Sequence, residues 1–170
     1  MIGPKTNQRN NPGNVKKPGT DRWKGTESYD NVGHAVFTDA TYGWRALFRT
    51  LHSKYANGKG TIREIMRDYA PTTDTIGSRE GAPPNDPDGY ADTIAGWCGL
   101  HPDDDLELFH QLPFDPDVEP GGDYITHEGR AKMVALGCAI SRFENGHQGA
   151  DAEWADVLAG MKLYEDRFCK

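Results

Sequence analysis

Glu144 closes the stretch Thr126 to Gly146 (THEGRAKMVALGCAISRFENG), where a single acid stands on an otherwise apolar helical face. Met133, Leu136, Ile140 and Phe143 recur at the three- and four-residue spacing of one stripe, with Ala135 and Cys138 beside them. Glu144 falls four residues after Ile140 and eight after Leu136, so it projects from the edge of that stripe. Apolar neighbours and the negative end of the helix dipole both disfavour a charged carboxylate, which is the setting a general acid needs near neutral pH. A solvated helix-end glutamate is the plainer alternative. Glycoside cleavage pairs such an acid, which protonates the leaving oxygen, with a second group that holds a water or stabilises the cation. Glu27 and Asp30 are the candidates for that second role. They flank Tyr29 in a polar stretch after Trp23, where aromatic rings could stack on a sugar beside a less buried carboxylate. Asp39 is a third nearby acid, more economically explained as a helix cap; each of these is otherwise an ordinary surface acid.

Other chemistries lack their signatures. The chain has no phosphate-cradling glycine loop followed by Lys-Ser/Thr, no His-Glu-x-x-His and no nucleophile elbow. Its six histidines, His34, His52, His101, His110, His127 and His147, are scattered, and neither a metal nor a cofactor is expected. Cys98, Cys138 and Cys169 are odd in number and widely spaced, which reads as reduced thiols; Cys138, mid-helix among apolar residues, is structural rather than nucleophilic.

The elements that must position these groups follow in order. Residues 1–20 are basic and rich in Asn, Pro and Gly, an arm with turn chemistry at Asn11-Pro12-Gly13-Asn14. From 21 to 170 a single globular domain is expected. Arg22 to Thr38 has a β-like pattern, with a turn at Asn31-Val32-Gly33 and a strand at Ala35 to Thr38. Asp39 caps a helix with Trp44, Leu47, Phe48, Leu51 and Tyr55 on one face, ending at Asn57-Gly58. Thr61 to Glu64 is a capping box for a second helix, stopped by Pro71. A polar Pro/Gly-rich loop spans 71–89. Asp86-Pro87 starts a helix carrying Tyr90, Ile94, Trp97 and Cys98, which Gly99 ends; a shorter one is expected from His101 through Leu106 and Phe109. A second loop follows at 112–123, then the Glu144 helix. A last helix has Trp154, Val157, Leu158, Met161 and Tyr164 on one face. About six helices and a small N-terminal β-hairpin make an α+β domain, mostly α.

The 170 residues carry a net charge of −7, which argues against general nucleic-acid binding. The charge is unevenly placed: the first 24 residues are +5 and the remainder −12. Such an arm suits an anionic wall polymer, a phosphate or an acidic partner patch, or is simply a solvated tail. No apolar run approaches the roughly 20 residues of a membrane span, and the N-terminus lacks a signal-peptide core.

Arg9-Asn10-Asn11-Pro12-Gly13-Asn14, Trp23-x-Gly25, Phe37, Gly43-x-Arg45-Ala46, Tyr55, the Thr61/Ile62 helix ending in Ala70-Pro71, Asn85-Asp86 before Tyr90, and Glu144-Asn145-Gly146-His147-Gln148 resemble a family of small phage-encoded proteins. Its members are labelled virion structural proteins and suspected of acting on the cell wall. The likeness runs from residue 9 to 161, with a longer stretch here between Pro71 and Asn85 and another at 113–125. Locally, Cys138 to Gly146 is similar to the acid-bearing helix of lysozymes and lytic transglycosylases. In those enzymes the hairpin follows the acid helix; here it precedes it, so a lysozyme-like fold would have to be rearranged, as by circular permutation.

These resemblances imply a virion-associated muramidase that cuts peptidoglycan at the host cell wall, with Glu144 as acid; nothing beyond Glu144 carries over by motif, and Glu27 or Asp30 as the assisting group comes from the residues alone. Asn11, Asn14, Trp23, Tyr29, Arg45 and Gln148 would contact the substrate. The protein would reside in the virion, or in the host cytoplasm during assembly, with peptidoglycan and other virion proteins as partners and no specific nucleic acid. A non-catalytic structural or internal virion protein is the alternative; a stand-alone carbohydrate-binding module using Trp23, Tyr29 and Trp44 is a third reading. An open cleft at Glu144 facing the hairpin favours the enzyme, whereas a carboxylate locked to Arg142, Arg45 or a cap with no groove favours the structural role.

Overall fold

A computed structural model describes residues 3–74, 81–110 and 124–169. The first polar loop is described on either side of 75–80, and the loop at 112–123 lies outside the described residues. Among the described residues five helices carry the fold: α1 (Ala40–Ala56), α2 (Ile62–Tyr69), α3 (Pro87–Cys98), α4 (His127–Asn145) and α5 (Trp154–Phe168). Three two-stranded antiparallel pairs accompany them among the same residues. They are β1 (Lys5–Thr6) with β6 (Ala150–Asp151), β2 (Thr26–Tyr29) with β3 (Ala35–Phe37), and β4 (Phe109–His110) with β5 (Tyr124–Ile125). The architecture is α+β and mostly helical. Among the described residues no helix is long and apolar enough to cross a membrane.

Local chemistry sets most boundaries. Asp39 accepts the Thr41 N–H at 2.8 Å and begins α1, and both capping-box bonds of Thr61 and Glu64 begin α2. Asp86 takes the Gly89 N–H before α3, and Gly99, at φ +69°, ends that helix. The helix expected from His101 does not form, so the described residues hold five helices where about six are predicted. The Leu106 N–H is taken by the Gly60 carbonyl, Asp105 bridges to Thr61, and Glu107 adopts φ +47°, which no helix accommodates.

The core is built where α1 lies along α5, α2 along α3, and α3 along α4. Trp44, Leu47, Phe48 and Leu51 of α1 meet Val157, Met161 and Tyr164 of α5 and Met133, Leu136 and Ile140 of α4, all fully or nearly fully buried. Two stripes are narrower than their spacing suggests. Phe143, Trp154 and Leu158 remain 43%, 45% and 48% exposed.

Residues 3–17, expected as an arm, are woven into the domain. β1 lies against the end of α4, where the Lys5 N–H donates to Ser141 Oγ at 3.0 Å. Side-chain amides replace regular backbone pairing in the asparagine-rich stretch. Asn11 is completely buried; its Nδ2 donates to the carbonyls of Val15 and Ala35, and its Oδ1 accepts the Val15 N–H. The Asn7 amide reaches Asn11 O, Asn14 Oδ1 and Asn145 Oδ1, tying the turn to the last turn of α4.

Candidate functional site

Glu144 is carried to the end of α4 by a helix whose other face is anchored in the core. The helix stops differently from the expected left-handed Asn-Gly pair. Gly146 is right-handed at φ −55°, and Asn145 turns inward, donating to Pro12 O and Ser141 O. That inward turn fixes α4 against the N-terminal segment and brings Glu144 to Asn14.

Both carboxylate oxygens meet a donor. Asn14 Nδ2 donates to Oε2 at 2.8 Å, and the Tyr90 hydroxyl of α3 donates to Oε1 at 2.7 Å. Asn14 is itself oriented by two donors, Arg9 Nη2 at 2.8 Å and Asn7 Nδ2 at 3.0 Å, both onto its Oδ1, which leaves its NH2 group for Glu144. Its φ of +49° suits asparagine better than a branched residue. Tyr90 stacks on Phe143 with ring centroids 3.8 Å apart.

Glu144 lines a cleft of about 630 Å³ formed by the Asn14 turn, the hairpin, the end of α2, the start of α3 and the end of α4. His34, Lys16, Asp74, Tyr69 and Tyr90 are among the residues that line it. Burial, and after it the negative charge of Glu144, pushes the Tyr90 phenol well above its ordinary value, and the same two causes raise Tyr69. Both phenols therefore stay neutral donors through the physiological range. Tyr69 gives its hydroxyl hydrogen to the Gly13 carbonyl, pinning the Asn14 turn from the other side.

Asp30 lies behind this wall. Its Oδ2 meets Arg9 Nη1 at 3.2 Å and His34 Nδ1 at 3.1 Å, and its Oδ1 accepts the His34 and Val32 N–H groups. Burial works to raise its carboxyl, but the His34 backbone and ring bonds and the Val32 bond outweigh it, so the net direction is down. Arg9 therefore links Asp30 to Asn14, and Asn14 links to Glu144. His34 is the member of the hairpin that reaches the cleft.

The remaining sequence candidates take other places. Glu27 is exposed on β2 and is not among the cleft residues. Asn11 is interior scaffolding. Trp23 packs on the core and donates its indole N–H to Lys16 O at 2.8 Å. Tyr29 packs on the core with its hydroxyl buried and unpartnered among the described residues. Arg45 is buried on α1 against Phe168 of α5, outside the cleft lining, and Gln148 is exposed in the turn after α4. The structure thus unites Glu144 with Asn14, and Asp30 through Arg9 and His34. Tyr69, Tyr90 and His34 escape the sequence reading. A tyrosine on a core stripe does carry a signal, since its buried hydroxyl requires a partner.

The thiols are not part of this site. Burial pushes Cys98 up to about 11 and Cys138 up to about 12, leaving both protonated near neutral pH. Among the described residues no group of His, Cys, Asp and Glu is arranged to hold a metal ion. In comparisons with known proteins, the chain matches no protein-family model and no curated protein.

Proposed function

We propose that this protein is a phage virion-associated, lysozyme-like glycosidase that cleaves the amino-sugar polymer of peptidoglycan. The observation that carries the reading is the Glu144 carboxyl, held by Asn14 and Tyr90 in a cleft that the hairpin helps to wall. Glu144 gives its proton to the leaving glycosidic oxygen, and the two donors then stabilise the carboxylate that results. Asp30 assists through His34. Its bond to Nδ1 orients the ring and leaves Nε2 to take a proton from the water that adds to the sugar carbon as the bond to the leaving oxygen breaks. Tyr90 and Phe143 supply an aromatic wall suited to a sugar face. In this reading the fold is a rearranged lysozyme-like one, with the hairpin ahead of the acid helix, and the protein acts from the virion at the host wall. Clearing of purified peptidoglycan by the wild type, lost in a Glu144→Gln variant of equal circular dichroism, tests it.

A specific observation favours a second reading, a non-catalytic virion structural or internal protein. An apolar groove of about 280 Å³ runs between α3, α4 and α5, lined by Trp97, Val134, Cys138, Trp154 and Leu158. Exposed aromatic and aliphatic surface of this kind suits contact with another virion protein. Absence of clearing by the wild type from pH 4 to 8 would decide for this role.

A further inference from the structure

Of the nine described arginines, five meet a carboxylate and a sixth meets backbone carbonyls. Arg9 meets Asp30, Arg63 meets Asp92 and Asp103, Arg67 meets Asp88, Arg130 meets Glu165, and Arg142 meets Asp151; Arg22 donates to the carbonyls of Thr26 and Glu27. Arg45, Arg49 and Arg167 differ. None of the three has an ion pair or hydrogen bond to another described residue, yet all converge on the Phe168 ring, with Cζ 5.1, 4.5 and 5.8 Å from its centroid.

This arrangement is unfavourable by itself. Arg45 and Arg49 are like charges four residues apart on α1, and Arg167 is brought to them by α5. Arg45 is only 9% exposed, so a charged group is removed from most of its water without a counter-ion among the described residues. Burial first, then Arg167 and Arg49, lower its guanidinium from the ordinary value, against a smaller raising effect of Tyr42. One phenyl ring attracts each cation through its face but cannot neutralise three of them.

We infer that Arg45, Arg49 and Arg167, held against Phe168 at the junction of α1 and α5, form a binding site for a phosphate group, free or carried as a monoester. Phosphate fits better than carboxylate on charge and geometry. It brings close to two negative charges and three terminal oxygens to three planar donor forks, each able to bind two oxygens. None of the three arginines lines the Glu144 cleft, so the inference stands independently of the glycosidase reading.

The test is calorimetric titration of the full chain with inorganic phosphate, glycerol 3-phosphate and malonate, at one ionic strength fixed by sodium chloride. Saturable binding of phosphate or its ester, with malonate weaker by roughly tenfold or more, is expected. Tighter binding of the ester would identify an esterified ligand, and tighter binding of the free ion would identify free phosphate. The Arg49→Gln/Arg167→Gln double variant, which leaves the buried Arg45 in place and is checked by circular dichroism, should lose roughly tenfold or more in affinity, while Arg22→Gln should not. No binding of either phosphate, equal binding of malonate, or an unchanged double variant would overturn the assignment.

Discussion

The Asn14 side-chain amide donates to Glu144 Oε2 across 2.8 Å, although 130 residues separate the two in the chain. One bond thereby joins the asparagine-rich N-terminal turn to the last turn of α4. Asn14→Gly keeps the backbone at ease at φ +49° and removes the amide, with its bond to Glu144 and those it accepts from Arg9 and Asn7. In the proposed enzyme it should cost about 100-fold in turnover through misplacement of the acid. Peptidoglycan turnover measured beside thermal unfolding checks this, because a purely structural Asn14 would lower stability and leave the activity of the folded fraction unchanged.

Tyr69 and Tyr90 should be among the last of the seven tyrosines to ionise. Their folded-state phenols titrate above the ordinary value of 10, so the stability they contribute is complete below that pH and is lost as pH rises through their folded values. Glu144→Gln removes the charge that opposes both phenolates. A phenolate absorbance titration of that variant should show two tyrosines moving to lower pH.

Asp30→Asn retains size but not charge. Loss of charge-assisted bonds to Arg9 and His34 should lower stability by about 1–3 kcal/mol at pH 7, measured by urea unfolding. Because the folded Asp30 carboxyl titrates below 3.8, the difference should be full above that pH and narrow as pH falls through the depressed value.

Gly160 of α5 lies directly against α1. A methyl group there would collide with Trp44 Cβ and come within 2.9 Å of the Thr41 carbonyl and 3.1 Å of the Arg45 N. Gly160→Ala should therefore destabilise the fold by about 1–3 kcal/mol in thermal or denaturant unfolding, despite alanine's better helix propensity.

The helices were legible because their signals are local. Asp39, the Thr61–Glu64 box, Asp86-Pro87 and Gly99 act within a turn of the elements they bound. The turn in the hairpin was equally local, with Gly33 at φ +91°. Glu144 was legible as an acid at the edge of an apolar stripe, and Asn14 as part of a turn. Their contact was not, because it depends on Asn145 turning inward to Pro12. Asp30 was found as an acid, but its neighbours were hidden, since Arg9 reaches it from another segment and His34 returns across the hairpin turn. Arg45 was read toward the substrate, whereas packing of α1 on α5 directs it to Phe168. The stretch from His101 to Phe109 has a helical spacing in sequence but is not helix, because its decisive partners, Gly60 and Thr61, lie some forty residues away.

The most direct measurement is mass spectrometry of the soluble products released from purified peptidoglycan by the wild type and by Glu144→Gln, matched by circular dichroism. The account predicts fragments cut between amino sugars from the wild type, and release slowed roughly 10²- to 10⁴-fold in the variant, the usual contribution of a general acid. Folded wild-type protein that releases no glycan fragments from pH 4 to 8, or a Glu144→Gln variant that cuts as fast as the wild type, would contradict it.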